Sequence, residues 1–488
     1  MSPVHGRRVE VDDAFVTRLS AVSPLVTAPH DIAAASRDWW PLALVWEAEG
    51  TEQAIAAVVA RPLDAAQVAD VVRVANDAHV PVTVAAGRSG VCGGSPPLHG
   101  GVVLDLTALD GIVAVDRESL VLDVLAGTFG TRLEEQLRAE YGVTLGHFPQ
   151  SIDISTVGGW LACRGAGQKS TRYGKIEDMV AGLDVVVADG RVVHTGGAPR
   201  AAVGPDLTQL FVGSEGTLGV ITQARLRLHP APAAEIRGAW RPPSFAAALD
   251  ATRRIVQRGA TPAVVRIYDG VEAERNFGLD PAPLLLLLDE GDPFVVDAVD
   301  RIVREEVDAF APADDALVAR WLEHRNDVSA LHRSIDAGLV VDTMEIAAPW
   351  SALGALFTDV CAALLAVDGV LMASAHLSHA YTDGGCLYFT FAGVPDADLP
   401  GDGTGRTRER CYIDAWDAAV GATLRGGAAL SHHHGIGVNR ARHVGQALGD
   451  GLAVLQSVKD ALDPRGIMNP GKLGLRDPFG PAETSAWP

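Results

Sequence analysis

Three glycine-rich segments interrupt the regular pattern in residues 84–222 of the chain. The first, VAAGRSGVCGGS (84–95), follows a predicted strand, and its glycines expose successive backbone N–H groups that can hold phosphate oxygens. Its spacing is neither the dinucleotide-binding G-x-G-x-x-G pattern nor the phosphate-binding G-x-x-x-x-G-K-[ST] pattern. The other two segments, 146–180 and 205–222, are also rich in Gly, Ser and Thr. Together, the three predict a chain that wraps a large diphosphate cofactor from several sides.

Helices and strands alternate around these segments. Residues 61–87 begin with a capping-box spacing, continue with helical periodicity and end in a predicted strand. Residues 183–196 predict a hairpin whose Asp189-Gly190 pair is typical of a type I′ turn. A proline-rich patch at 229–244 indicates a domain boundary, and the strands and helices predicted beyond it indicate a second, α+β domain.

The composition excludes several classes of protein. A chain of 488 residues favours two or three domains, and its net charge of −21 argues against a nucleic-acid partner. Five cysteines without a C-x-x-C pair exclude a disulfide scaffold and fit a reducing cytoplasm. The first residues contain no apolar run, so we expect no signal peptide, and the longest aliphatic run, 284–288, is too short to span a bilayer. We expect a cytoplasmic protein with a small-molecule substrate; peripheral membrane contact and a homodimer stay open.

The glycine-rich segments resemble one family. The motifs GSEGTLGVIT (213–222) and STVGGW (155–160), with GHFPQS and YGKIEDMV within 146–180, are similar to the FAD domain of the vanillyl-alcohol oxidase / p-cresol methylhydroxylase superfamily. Within it, the pattern is most similar to the alkylglycerone-phosphate synthase branch. The resemblance covers nearly the whole chain from residue 50 onward.

This resemblance implies an α+β fold. A two-subdomain FAD-binding domain of the p-cresol methylhydroxylase type (51–232) would precede an α+β cap domain with an antiparallel sheet (233–425). A C-terminal segment (426–488) would return to the flavin. Residues 1–50 are poorly periodic and are predicted to form an N-terminal arm that covers the main body.

FAD is the cofactor that the resemblance implies, and the matching positions assign its contacts. The pyrophosphate would be bound by Gly87, Arg88, Ser89, Gly90 and Val91. The flavin and its ribityl chain would lie along Pro149, Asp153, Thr156, Gly159, Arg164 and Gly167. The adenosine or isoalloxazine side would meet Glu215, Gly219 and Ile221. Some family members bond the flavin through a histidine in the first glycine loop; this chain has none there, so we expect non-covalent FAD.

Tyr388 is the first candidate for the chemistry. It alternates with Leu387 and Phe389 in a strand-like run, so its side chain would point away from theirs. Pattern alone favours a tyrosine half-buried in a sheet. The synthase branch, however, has a tyrosine at the matching position close to the flavin, and the resemblance implies an acid/base role.

The run SHHHGIG (431–437) allows a metal site or an acid/base site. Flavin-dependent D-2-hydroxyacid dehydrogenases, which also resemble this fold, hold a metal between an H-x6-H strand motif and the glutamate of a later E-H-G. Here Tyr388 replaces the second histidine of that motif and His433 replaces the glutamate. We therefore predict no metal site.

Which histidines of the run act depends on the local backbone. On a regular strand His432 and His434 share a face and His433 points away. The synthase branch uses the second and third histidines, which implies an irregular backbone near Gly435. On that basis His433 and His434 are predicted to be catalytic, and His432 to have a packing or surface role.

Arg333 is the last candidate. It precedes an E-x-x-A-P-W motif (345–350), and the matching family arginine lies over the flavin. A guanidinium suits a carboxylate or phosphate, although a surface ion pair is the commoner role of an arginine. Because the spacing to Trp350 differs slightly from the family pattern, Arg325 is the alternative.

Two activities follow from these expectations. The first is an FAD-dependent oxidoreductase that oxidises a small anionic alcohol or hydroxyacid by hydride transfer to flavin N5, with a histidine as base. The second resembles alkylglycerone-phosphate synthase, which exchanges an acyl for an alkyl group through a flavin N5 adduct. It requires a lowered pKa of Tyr388. A non-enzymatic flavoprotein is a third, weaker alternative.

Overall fold

The computed structural model describes residues 7–51, 53–327, 329–395 and 407–480. The N-terminal part and the first sheet contain α1 (Asp13–Ser20), β1 (Leu25–Val26), α2 (Pro29–Ala35), α3 (Pro41–Ala48), β2 (Val58–Ala60), α4 (Ala65–Ala78), β3 (Val82–Ala85) and β4 (Val102–Asp105). The sheet order is β1-β2-β4-β3, with β2, β4 and β3 parallel. The first glycine segment begins at the end of β3. Parallel pairing therefore sets this loop at the carboxyl edge of the sheet.

The segment before β2 packs into the body of the protein. Trp40 and Trp46 are buried, and their indole N–H groups donate to Tyr412 and Glu409. The predicted helix after residue 61 is α4, where the Asp64 side chain accepts the backbone N–H of Gln67 at 2.8 Å.

A second sheet carries the other two glycine-rich segments. Its region contains β5 (Ile112–Asp116), β6 (Val121–Leu125), α5 (Gly130–Gln136), β7 (Val143–Thr144), α6 (Val157–Cys163), α7 (Ser170–Tyr173), α8 (Ile176–Met179), β8 (Val180–Val186), β9 (Val192–Gly196), α9 (Leu207–Phe211), β10 (Val220–Arg227) and β11 (His229–Pro230). The sheet order is β5-β6-β10-β8-β9, all antiparallel. β7 and β11 form a separate pair.

The turn between β8 and β9 differs from the prediction. A type I′ turn needs a positive φ at both central residues. Gly190 has φ +79°, but Asp189 is not among the residues with positive φ. β8 and β9 do form a hairpin, but its loop is longer than the two residues of a type I′ turn. Within this loop Val187 N–H donates to Arg191 O, and Gly190 N–H donates to Val187 O. The type I′ prediction is therefore wrong.

The largest sheet, which we call the cap sheet, has seven antiparallel strands in the order β15-β12-β14-β13-β17-β18-β16. Its region contains β12 (Ala234–Arg241), α10 (Phe245–Gln257), β13 (Val264–Tyr268), α11 (Gly270–Phe277), β14 (Leu284–Gly291), α12 (Pro293–Glu306), β15 (Ala311–Pro312), α13 (Ala316–His324), α14 (Ser329–Asp336), β16 (Val340–Pro349), α15 (Trp350–Leu365), β17 (Val370–Ala380), β18 (Gly384–Gly393) and α16 (Thr407–Arg425). The predicted α+β class with an antiparallel sheet is confirmed.

Buried ion pairs join α7 to the cap sheet. Lys169 Nζ lies 2.6 Å from a Glu290 oxygen, and Arg172 contacts Asp289 at 2.6 Å. Both acids lie on β14 and are almost fully buried. Because buried charges are costly to separate, these pairs fix the glycine-rich loops against the cap sheet.

The C-terminal part contains α17 (Val444–Leu448) and α18 (Gly451–Leu462), and then returns to the first sheet. Met468 forms a parallel bridge with Val82. Lys472 Nζ donates to the carbonyls of Gly93 at 2.8 Å and Pro96 at 3.0 Å, so the chain end supports the first glycine segment. Among the described residues, no helix is long and apolar enough to cross a membrane.

Candidate active site

A cavity of about 900 Å³ lies where the glycine-rich loops face the cap sheet. Most of the predicted cofactor residues line it: Gly87, Arg88, Ser89, Gly90, Val91, Pro149, Thr156, Gly159, Glu215, Gly219 and Ile221. Tyr388, His433 and His434 line the same cavity from the cap side. Asp153, Arg164, Gly167 and Arg333 are not among the lining residues.

The first glycine segment is shaped by close backbone packing. A Cβ on Gly87 would lie 2.2 Å from the carbonyl oxygen of Ile154, so only glycine lets the two loops approach. Arg88 has φ +54°, and its Nη1 is buried without a hydrogen bond to any described residue. This Nη1 lies 3.7 Å from Asp105 Oδ2 and keeps its hydrogen-bonding capacity. A guanidinium beside glycine-rich backbone suits a pyrophosphate oxygen, so the loop fits a dinucleotide.

The three predicted cofactor residues outside the cavity wall support loops behind it. Asp153 accepts a hydrogen bond from the Thr131 hydroxyl. Arg164 caps α6 with φ +57° and lies 3.4 Å from Glu177. A Cβ on Gly167 would lie 2.5 Å from the backbone nitrogen of Phe148.

Glu215 connects the third glycine-rich segment to the histidine run. Its carboxylate accepts the backbone N–H groups of Ile436 at 2.6 Å and Gly437 at 2.8 Å. A Cβ on Gly437 would meet the carbonyl oxygen of Cys92 at 2.1 Å. The run is therefore held between two of the loops that were predicted to surround the cofactor.

A single carboxylate holds the backbone of the histidine run. Glu345 Oε1 accepts the N–H groups of His432, His433 and His434 at 3.1, 2.9 and 2.7 Å. Arg440 pairs with the same carboxylate, and both side chains are fully buried. Against the effect of burial, Arg440 and the nearby histidines hold the pKa of Glu345 well below its usual range. We call Glu345 with Arg440 the cradle.

The backbone of the run is irregular near Gly435, as we expect if His433 and His434 act together. Residues 431–437 are irregular, so the alternation of side chains along a strand does not apply. His433 and His434 both line the cavity, whereas the buried His432 lies behind them. The tight turns at Gly435 and Gly437, with φ +80° and +54°, allow this arrangement.

Burial sets the protonation of the chemical groups. It lowers the pKa of His434, and it lowers the pKa of His433 well below its usual value with help from His434. Burial also raises the pKa of Tyr388, whose hydroxyl lies 3.0 Å from Thr343 Oγ1. The cavity therefore presents neutral imidazoles and a protonated phenol.

His379, His432 and His433 bring ring nitrogens within 4.8 Å of one another, close enough to suggest a metal site. Both nitrogens of His432 are already engaged, with His433 Nδ1 at 2.9 Å and the Tyr381 hydroxyl at 3.1 Å. Glu345 and Glu215, the carboxylates that contact the run, already accept hydrogen bonds from its backbone. These hydrogen bonds compete with a metal ion, and the prediction without a metal site stays our expectation.

The arginines are placed differently from the first expectation. Arg333 on α14 is 67% exposed and lies 3.8 Å from Asp327, outside the cavity wall. Arg325 lines the cavity, donates to Gln168 Oε1 at 2.8 Å and stacks on Trp321. Arg266 on β13 faces the same ring and contributes to the same wall.

Two residues of this site were not found from sequence. Arg266 is a charged residue inside the otherwise apolar strand VVRIY, and Glu345 lies beside apolar residues in VVDTMEIAAP, a strand that also contains the buried Asp342. Because a charge is rarely buried without a partner, such positions were the available signal. Their partners lie far along the chain and could not be assigned from spacing.

Comparisons with known proteins agree with this geometry. Residues 56–196 match the family model of the FAD binding domain, and residues 231–473 match that of the C-terminal domain of FAD linked oxidases. The uncharacterized FAD-linked oxidoreductase YgcU of Escherichia coli (strain K12) is 30% identical over 387 residues, which cover 76% of this chain and 79% of that protein. Alkyldihydroxyacetonephosphate synthase of Dictyostelium discoideum is 30% identical over 447 residues, which cover 83% of this chain and 71% of that protein.

Solved structures give the same result for the fold. An alkyldihydroxyacetonephosphate synthase structure superposes with a TM-score of 0.77 at 25% identity, covering 96% of this chain and 87% of that one. p-Cresol methylhydroxylase with substrate bound shares the fold, with a TM-score of 0.76 at 17% identity over 96% of this chain and 99% of that one. FAD is thus the cofactor, and the chain belongs to the family of FAD-linked oxidases.

Proposed function

We propose that the chain is an FAD-dependent oxidoreductase that oxidises a small anionic alcohol or hydroxyacid. The observation that carries this proposal is the pair of guanidiniums on one cavity wall, Arg266 and Arg325. Neither forms an ion pair with a carboxylate of the described residues. Arg266 donates from Nη1 to His376 Nε2 at 3.1 Å, and its Nε is buried without a partner among these residues. Burial and the charge of Arg266 lower the pKa of Arg325. An anion between the two would relieve this repulsion.

The histidines supply the base. FAD, when bound, accepts the hydride that leaves the substrate carbon. His433 or His434, held neutral by burial, takes the hydroxyl proton on a ring nitrogen, so that the product is a carbonyl compound. Tyr388, held protonated by burial, donates a hydrogen bond to the substrate oxygen rather than accepting its proton.

A second candidate is an ether-forming exchange like that of the synthase relatives. The observation that favours it is an apolar part of the cavity wall that includes Leu331, Val341 and Met372, which would suit an alkyl chain; Val341 and Met372 both pair with Ala392 of β18. This reaction was expected to need Tyr388 as a base. Burial raises the pKa of Tyr388 instead, so we rank this candidate second.

Anaerobic mixing of the holoenzyme with 2-hydroxyacids, simple alcohols and acyl-dihydroxyacetone phosphate tests both candidates. Loss of the flavin absorbance with an alcohol or hydroxyacid supports the oxidoreductase. Exchange of a labelled fatty alcohol into acyl-dihydroxyacetone phosphate without net flavin reduction contradicts it and supports the second candidate.

Substitution of the histidines tests the site itself. With a reducing substrate from that panel, His433→Gln and His434→Gln are expected to slow flavin reduction by roughly 10²–10⁴-fold for whichever acts as the base. Flavin content should be unchanged. His194→Gln, at a surface histidine that is 72% exposed, is the matched control. Full activity of both cavity variants would contradict the assignment.

A further inference from the structure

A continuous chain of hydrogen bonds connects two histidines of the cavity wall through the protein interior. His433 Nδ1 lies 2.9 Å from His432 Nδ1, and His432 Nε2 lies 3.1 Å from the Tyr381 hydroxyl. That hydroxyl lies 3.0 Å from Ser170 Oγ, which lies 2.7 Å from His379 Nδ1. We call these five side chains the relay.

Only the two ends of the relay line the cavity. His433 and His379 belong to the cavity wall, whereas His432, Tyr381 and Ser170 do not. The rings at the two ends also contact each other edge to face, with centroids 5.2 Å apart. Both ends use Nδ1 within the relay, so Nε2 is the ring nitrogen that each can offer to the cavity.

Every member of the relay can both donate and accept a proton. The charges around it come from Lys175, Arg266, Glu345, Glu177 and Asp178. Burial lowers the pKa values of the histidines His379, His432 and His433 and raises the pKa of Tyr381. The five groups are therefore neutral and carry one mobile proton each. The four hydrogen bonds between them hold four of these protons. The fifth proton must lie on Nε2 of either His433 or His379.

We propose that the relay makes His379 and His433 an alternating acid–base pair, in which one presents a bare Nε2 to the cavity whenever the other presents an N–H. A proton taken up by His433 Nε2 moves one proton along each hydrogen bond and releases one from His379 Nε2. No charge accumulates, and every group stays neutral afterwards. This assignment of the proton's exit rests on the proposed function, in which a cavity histidine is the base. His432, Tyr381 and Ser170 are positioning residues.

Histidine tautomers in the substrate-free holoenzyme test the relay directly. In [¹⁵N]histidine-labelled protein, long-range ¹H–¹⁵N spectra report the protonation of each ring nitrogen, and single His→Gln variants assign the signals. The Nε2–H occupancies of His379 and His433 are expected to sum to about one. Two protonated or two bare Nε2 atoms in the neutral rings would overturn the proposal.

Breaking the relay should uncouple its ends. Tyr381→Phe removes one hydroxyl and keeps the ring, and Ser170→Ala removes the next hydroxyl, so either variant should abolish the complementary occupancies. Tyr173→Phe, which removes a hydroxyl bonded to Glu290 on the same helix as Ser170, should leave them intact. Complementary occupancies that survive both relay variants would contradict the proposal.

A reducing substrate gives a second test. Tyr381→Phe is expected to slow flavin reduction about tenfold with KM unchanged, because proton release, not binding, is affected. An unchanged rate would contradict the role of the relay in proton release. Complementary tautomers in a protein that no compound of the panel reduces would support the relay and contradict only the proposed function.

Discussion

Arg325 and Arg333 flank the start of α14, but only Arg325 lines the cavity. The family pattern favours Arg333 because of its spacing to the E-x-x-A-P-W motif. In the structure, however, the residue that lines the cavity is Arg325, which directly follows the end of α13. At that point Arg325 lies between the rings of Phe148 and Trp321, which keep its guanidinium directed at the cavity.

Anion affinity distinguishes the two arginines. Arg325→Met should weaken binding of oxalate to the holoenzyme by about tenfold to a hundredfold, because a charge-assisted hydrogen bond contributes about 1.5–3 kcal/mol. Arg333→Met, at a side chain that is 67% exposed, should change the affinity less than about twofold. Titration monitored by the flavin spectrum gives both values. Equal effects of the two substitutions on oxalate affinity would indicate that Arg333 also contacts the anion.

At the scale of elements, the histidine run depends on a strand far from it in sequence. β16 pairs with β18, and this pairing brings Glu345 opposite Tyr388 in register. The cradle then orders three consecutive backbone N–H groups with one carboxylate. These three backbone N–H groups therefore have hydrogen-bond partners although the run has no regular secondary structure.

Removing the charge of the cradle should destabilise this element. Glu345→Gln leaves Arg440 buried without its counter-charge, which is expected to cost about 3–5 kcal/mol in the free energy of unfolding. Urea denaturation measures it. Glu305→Gln, at an acid that is 65% exposed and pairs with Arg258, should cause no resolvable change. A loss for Glu345→Gln no larger than for this control would show that the cradle is not needed.

The positions of the glycine-rich loops could be predicted from the sequence, but the residues that their side chains contact could not. Glycine spacing and the STVGGW and GSEGTLGVIT motifs located the loops that line the cavity, since local backbone chemistry decides where such loops form. The cradle and the relay could not be predicted, because they join residues from distant elements. Even His379, which the strand pattern places on one face, gives no indication that Ser170 lies opposite.

At the scale of the whole molecule, buried neutral histidines couple stability to pH. His147 is buried against Trp160 with both ring nitrogens unpaired, and burial lowers its pKa to about 3. In the unfolded chain its pKa is about 6.5. The unfolded state therefore binds more protons as the pH falls below 6.5, and stability present above that value is lost progressively toward pH 3.

His147→Phe should remove part of this dependence. Between pH 7.5 and 5.5 one such histidine costs about 1.4 kcal/mol, so the variant should lose about that much less stability than the wild type over this interval. Urea midpoints at the two pH values measure the difference. An identical loss in both proteins would mean that His147 is protonated, or solvated, in the folded state.

The support of the first glycine segment by Met468 and Lys472 has a consequence for biosynthesis. The ammonium group of Lys472 binds the Gly93 carbonyl within this segment and the Pro96 carbonyl just after it, although Lys472 lies 379 residues beyond Gly93 in the chain. Contacts of such high sequence separation form late, because a long loop must close first. The first glycine segment is therefore expected to reach its final shape only after Lys472 has been synthesised and the intervening chain has folded.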